Sequence, residues 1–300
     1  MTDNAPPAED LPDTDAVQQA SRTRRVIKLL IEAPLSAKLG LVVIFVYIFV
    51  ALFAPWIAPF GESELVGKKY QPWGDEFLLG TDNLGRDMLT RLIYGARNTV
   101  GIALVTTLYA FLLGGILGIV AAVVGGWTDQ LLSRVVDILM AIPALIFAML
   151  LLSIFGTSVP SLILIIGLLD ATRIFRITRA VSLNVVVMDF VEAAKLRGEK
   201  LPWITVREIL PSISAPLAAE FGIRFCFVFL TISALSFLGL GIQPPTADWG
   251  SMVRDTADLI TFEDYTPLIP AAAIAVLTIG VNFVVDWFLH KTSGLKDELL

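Results

Sequence analysis

Residues able to do covalent chemistry are scarce in this sequence. Its 300 residues hold one cysteine, Cys226, and one histidine, His290. Far apart in the chain, they make neither a zinc site nor a thiol–imidazole nucleophile pair. A lone cysteine also excludes an intrachain disulfide. No G-x-x-x-x-G-K-[ST] phosphate loop occurs, so ATP is not held by that route. What remains is charge in unusual places. Glu220 and Arg224 stand four residues apart inside an apolar run, hence on one helical face and able to pair. Charges in a membrane span are costly and face a bundle interior or a watery path. The pair therefore reads as a structural ion pair, as part of a translocation path, or as both. Asp137, Asp170 and Asp286 fall near the ends of apolar runs, where simple topology accounts for them. The densest cluster is "VEAAKLRGEKLPWITVREILP", residues 191–211, with seven charged side chains.

The elements that must position these charges follow from composition. Apolar residues make up 56% of the chain and charged residues 17%, with a mean hydropathy of +0.76. Soluble domains carry about a quarter charged residues, so lipid is the expected solvent and the fold class is an all-α membrane protein. A hydrocarbon core of about 30 Å needs roughly 20 helical residues. Six stretches qualify, at about 38–59, 99–125, 135–155, 158–177, 212–240 and 267–289. The turn at "FGTSVP" predicts a hairpin between the third and fourth. Residues 1–21 hold Asp3, Glu9, Asp10, Asp13 and Asp15 and no basic residue. This predicts a disordered acidic tail rather than a signal peptide, which would begin basic. Two regions result, a tail over 1–30 ending in Arg22, Arg24, Arg25 and Lys28, and a membrane domain over 31–300.

Orientation follows from the positive-inside bias. Of the 22 basic residues, Lys68, Lys69, Arg86, Arg91, Arg97 and Arg254 fall on one side and Arg224 within a span. The other fifteen share the side of the N-terminus. Both termini are therefore expected in the cytoplasm, together with the charged elbow between spans four and five.

Within that elbow, Asp189 and Glu192 fit a capping box, and Gly198 falls where a left-handed glycine would stop the helix. Pro202 suits the start of a second short helix, "PWITVREIL", with Pro211 just past its end. A helix this short is marginal alone in water. It needs a packing partner, unless the segment is an ordinary loop with solvated charges. Ala193 and Ala194 would let a partner surface come close.

The order Glu-Ala-Ala, glycine six residues after the Glu, and then Leu-Pro resembles the coupling loop of permease subunits of bacterial ABC importers. Three more stretches carry the likeness: "LLGTDNLGRDMLTRLIYGARNTVGIAL" (78–104), "DILMAIPALIFAMLL" (137–151) and "LSFLGLGIQPPTADWGSMV" (235–253). Over roughly residues 35–290 the chain is similar to the second permease of the dipeptide/oligopeptide/nickel branch. The resemblance implies a type I importer fold with six transmembrane helices and a cytoplasmic coupling helix in the loop at about 178–211. It places the grip of an ATP-hydrolysing subunit on Glu192, Ala193, Ala194 and Gly198. It further implies a bacterial inner-membrane location and a heterodimer with a similar permease, besides the surrounding lipid. Two ATPase subunits holding the ATP and Mg and an extracytoplasmic binding protein complete the assembly. The resemblance implies no cofactor on this chain, no bound nucleic acid and no enzymatic activity of the chain itself. The implied cargo is a di- or oligopeptide, with nickel or an oligosaccharide as alternatives. Four positions depart from the family pattern: Glu208 where His is usual, Ser212 where Asn is, Arg197 where an apolar residue is common, and Ile232 where an acid often stands.

Two outer features complete the reading. Asp82-Asn83 and Gly85 predict a turn. From Arg86, the residues Met88, Leu89, Leu92 and Ile93 gather on one helical face, opposite Arg86 and Asp87. That pattern predicts an amphipathic helix at the outer interface, either a membrane anchor or a shelf receiving cargo from a binding protein. The acids Asp248, Asp255, Asp258, Glu263 and Asp264 read mostly as a solvated face. The glycine-rich "GGILGIVAAVVGG" run offers small residues for helix packing. A carrier driven by an ion gradient would need acids on the path, and a membrane enzyme would need clustered catalytic groups. Neither pattern is evident.

Overall fold

The computed structural model describes residues 32–293; the expected acidic tail and its basic end lie outside them. Among the described residues there are helices and no strand. α1 spans Leu35–Ile57. α2 (Met88–Gly95) runs through a π-helical turn, Ala96–Val100, into α3 (Gly101–Val124). α4 (Gly126–Met140) and α5 (Ala144–Phe155) follow, then the long α6 (Val159–Val186). α7 (Asp189–Leu196) is the elbow helix. α8 (Leu201–Ile204) continues through a second π-helical turn, Thr205–Ile209, into α9 (Leu210–Phe237). α10 (Trp249–Thr256) and α11 (Leu268–Ser293) complete the fold.

Four of these rods are long and apolar enough to cross a membrane: Leu35–Ile57, Met88–Val124, Leu201–Phe237 and Leu268–Thr292. The expected third span is not one straight helix. It bends by 87° between α4 and α5, at Ala141–Pro143, and counts as a fifth crossing if the bent pair is one span. Pro143 makes the break, since it cannot donate to the preceding turn and its ring crowds that turn. α6 has 28 residues, but Asp170, Arg173, Arg176 and Arg179 along it keep it out of the apolar set.

Small residues set the helix contacts. Gly114 and Gly118 of α3 lie against α6; a Cβ on Gly118 would stand 2.8 Å from the Phe175 carbonyl oxygen. Without a hydrophobic drive between helices in lipid, such backbone proximity is what holds spans together. α1 and α11 pair in the same way through Gly40 and Gly280, and Tyr47 donates to the Ala273 carbonyl at 2.8 Å. Lys291 reaches Glu32 at 3.9 Å, so the start of α1 and the end of α11 share one side of the bundle. The elbow shares that side too, because it packs on the far end of α3 from α2. Many large apolar side chains, such as Phe45, Leu112 and Ile146, point outward, as lipid-facing positions require.

Candidate functional site

The elbow has two sides of different character. Val191 and Ala194 are fully buried in a cluster with Ile119 of α3, Val185 of α6, and Ile204, Ile209 and Ile213 of the α8–α9 rod. Glu192, Ala193, Lys195, Leu196 and Gly198 are exposed. Ala194 therefore does not face outward beside Ala193 as the sequence suggested. Residues adjacent on a helix point about 100° apart, and only one of two neighbours can serve each surface.

The helix stops as expected. Gly198 has φ +83°, Gly198 N–H donates to the Lys195 carbonyl at 2.9 Å, and Glu199 N–H to Ala194 at 3.2 Å. This pair of bonds is the Schellman closure, which glycine enters without Cβ strain. The capping box does not form. α7 begins at Asp189 itself, with Met188 as cap and no side-chain bond to the first turn. Asp189 and Glu192 instead place negative charge at the positive end of the helix dipole. Beyond the bend, Pro202 is the second residue of α8. Pro211 does not end the helix: the rod Leu201–Phe237 is continuous. The π-helical turn just before it, where Leu210 N–H reaches back to Thr205 O, widens the backbone where a proline ring would otherwise crowd the Arg207 carbonyl. The part of the elbow beyond the Gly198 bend thus runs without a break into an apolar rod long enough to span.

Two departures from the family pattern meet here. Arg197 and Glu208 lie 3.8 Å apart across the bend. Ser212 turns its hydroxyl back to the Glu208 carbonyl at 2.7 Å. Ile232 is fully buried in the main apolar core, where an acid would lack a partner.

Inside the bundle, Glu220 and Arg224 pair at 2.5 Å. Asp170, expected from sequence near a span end, falls in the middle of a helix longer than the expected span. It lies well inside α6, 4% exposed, with Oδ1 3.4 Å from Arg173 and 3.6 Å from Arg224. Linear sequence cannot show this pairing, because α6 and α9 meet only in three dimensions.

On the opposite side, the expected amphipathic surface helix is corrected. Arg86, Asp87, Met88 and Ile93 are all buried, Leu89 and Leu92 partly so, and α2 is the entry to the second spanning rod. The polar face is covered by loops that pattern counting does not see. Asp82 accepts from Arg86 Nε at 2.7 Å and faces Arg91 at 3.3 Å. Asp87 caps α2 by accepting from Thr90 N–H at 2.7 Å. Glu62 Oε1 takes Asn98 at 2.8 Å and Ala247 N–H at 2.7 Å. Asp248 is not solvated either. It is fully buried, caps α10 through Ser251 N–H at 2.8 Å, and accepts from Thr99 at 2.9 Å. Burial pushes its carboxyl above the usual range, against the lowering pull of those bonds. Trp249 locks the knot. Its ring fills the space a Gly95 side chain would take, and Nε1 donates to Leu92 O at 2.9 Å.

The family described as binding-protein-dependent transport system inner membrane component matches residues 114–291. This chain belongs to that family. Residues 36–74 also match the N-terminal transmembrane domain of oligopeptide transport permease C. The dipeptide transport system permease protein DppC of Alkalihalophilus pseudofirmus is 32% identical over 99% of the chain and 93% of its own length. The di/tripeptide transport system permease protein DppC of Pseudomonas aeruginosa is 33% identical over 87% of the chain and 86% of its own. The peptide transport system permease protein SapC of Escherichia coli is 34% identical over 84% of the chain and 87% of its own. The permease fold is thus that of type I importers, and the chain is a multi-pass inner-membrane transport component. ABC-type partners, an ATPase and a binding protein, go with that family.

Proposed function

We propose that this chain is one of two permease subunits of an ATP-driven peptide importer, with its elbow and both termini in the cytoplasm. A similar second permease would complete the path, two ATPase subunits would hold ATP and Mg, and an extracytoplasmic protein would deliver the peptide. The relatives' names support the cargo class, and the basic-residue bias supports the orientation. One observation carries the coupling role: the elbow is anchored to the bundle by Val191 and Ala194 while Glu192, Ala193 and Gly198 stay open. A partner gripping that open face moves α7, and α7 cannot shift without its buried side displacing the ends of α3, α6 and α9. Packed cores respond to such a push as rigid bodies rather than by local give. ATP-driven closure of the ATPases would in this way tilt the spans between inward and outward openings. This polypeptide contributes half the path, and hydrolysis happens elsewhere.

The test sets neighbouring alanines against each other. Ala193→Trp should leave the chain inserted and the bundle intact but abolish ATP-dependent peptide uptake, by blocking the grip. Ala194→Trp should disrupt the elbow itself and lower the amount of folded protein. Wild-type uptake by Ala193→Trp, or a purified complex lacking ATPase subunits, would sink the assignment.

A further inference from the structure

A cavity of about 350 Å³ lies among α1, α3, α9 and α11. No charged side chain lines it. Tyr47 and Trp287 bring the only polar side-chain atoms to its walls, and the Tyr47 hydroxyl is spent on the Ala273 carbonyl at 2.8 Å. The cavity is open on one flank, where Ile48 and Leu104 are nearly half exposed. On α9 its wall is Ala218, Gly222 and Phe225. At 3.6 residues per turn, these stand on the other side of the helix from Glu220, which holds Arg224 at 2.5 Å. Charges inside a span face a bundle interior or a watery path. The cavity therefore opens away from such a path, towards hydrocarbon.

Size and charge together name the occupant. An apolar cavity stays dry, and left empty it forfeits the dispersion contacts of its walls. Hydrocarbon restores those contacts. About 150 Å³ suffices for a six-carbon ring, so this space takes about a dozen carbons, most of one acyl chain. A partner helix, about 10 Å across, is too wide. Along α11 the cavity runs down to Trp287 and Phe288, and Lys291 stands one turn further on the same face. Its ammonium is 3.9 Å from Glu32 and 42% of its side chain is exposed, so it keeps donors for a phosphate. A tryptophan followed by a lysine at a helix end also marks the headgroup level of a membrane. We propose that this cavity is a phospholipid site, with one acyl chain between α1, α9 and α11 and an anionic headgroup on Lys291. On the proposed orientation the lipid belongs to the inner leaflet. The site needs only the placement of the bundle in a membrane and is independent of the cargo.

The complete importer, stripped of lipid in detergent, is titrated with phosphatidylglycerol brominated on its acyl chains, because bromine quenches a tryptophan that it touches. The signal is the part of the quenching that Trp287→Phe removes. It should saturate at about one lipid per copy of this chain. Ala218→Phe, at an exposed position in the cavity wall, should fill the space and abolish the saturable part. Lys291→Gln, at a half-exposed side chain, should raise the lipid needed for half-saturation by about fivefold, one basic residue's share of the attraction to an anionic lipid. Quenching that rises without limit, or that survives Ala218→Phe, is general contact with lipid and overturns the site. No quenching of Trp287 means that the sibling permease or another subunit covers the cavity, and the proposal falls. An unchanged half-saturation in Lys291→Gln removes the headgroup contact and with it the phospholipid assignment.

Discussion

The two ends of the bundle solve opposite problems with the same few residue types. The end at α2 and α10, the outer one on the proposed orientation, buries a core of charges beneath an exposed charged rim. Asp82, Arg86, Arg91 and Asp248 are each no more than 3% exposed, and hydrogen bonds tie residues 62–91, 98–99 and 245–251 into one knot. The inner end buries apolar anchors and leaves its charges in water. A buried polar network is rigid when every member is satisfied and costly when one is removed. An exposed charge can be exchanged between water and a partner at little cost. On the proposed reading, the knotted end is the one that stays as it is, and the elbow end the one that is gripped and moved.

That contrast predicts the largest effect at Trp249. Its ring lies edge-on to Tyr47, with centroids 5.6 Å apart, and to Phe229 at 6.2 Å. Trp249→Ala leaves a cavity at the junction of α1, α2, α9 and α10 and should cost about 3–5 kcal/mol, the range for large aromatic truncations. Thermal unfolding in detergent should show it as a fall in midpoint, with binding-protein-dependent transport lost together with the fold. A stable, fully folded Trp249→Ala protein would show that the outer knot is not the rigid end.

Gly198 should give a smaller loss of stability and a larger loss of function in proportion. At φ +83° a β-branched residue carries left-handed strain of about 1–2 kcal/mol. No neighbouring atom lies within 4 Å of a Cβ there, so the strain is purely backbone. Gly198→Val should insert and pair with its sibling permease, yet transport less peptide per ATP hydrolysed. Gly198→Pro should do the same more severely, since it also deletes the bond to Lys195. An unchanged ratio of transport to hydrolysis in both would mean that bend geometry does not matter to coupling.

How much of this was legible in the sequence depends on whether the deciding contact is local. Gly198 and the Glu220–Arg224 pair are set by neighbours within one or two helical turns, and both could be read from spacing. The burial of Ala194 is not legible, because an alanine pair gives no sign of which member faces the bundle; the apolar Val191 one turn earlier is the available clue. The Asp170–Arg224 contact joins residues far apart in the chain, and only tertiary placement shows it. Arg86 and Asp87 pattern as a water-facing stripe yet are buried, because periodicity records the polarity of a face, not what covers it. The loops that cover it, through Glu62, Asp82 and Pro245, carry no periodic signal. The break at Pro143 could have been read, since proline inside an apolar run is the one local mark of a kink.

The smallest effect lies at the pair that departs from the family pattern twice. Arg197 and Glu208 are 3.8 Å apart, with side chains 55% and 26% exposed, so their attraction is heavily screened. Exposed pairs of this kind couple by about 0.5 kcal/mol or less. A double-mutant cycle of Arg197→Ala and Glu208→Ala, read by unfolding, should return a value in that range and should shrink further in high salt. The apolar anchors Val191 and Ala194 then hold the elbow, and the ion pair only tunes the face offered to the partner. A coupling well above 1 kcal/mol would mean that the inner end, like the outer one, is held by charge. The difference between the two ends would then be one of exposure alone.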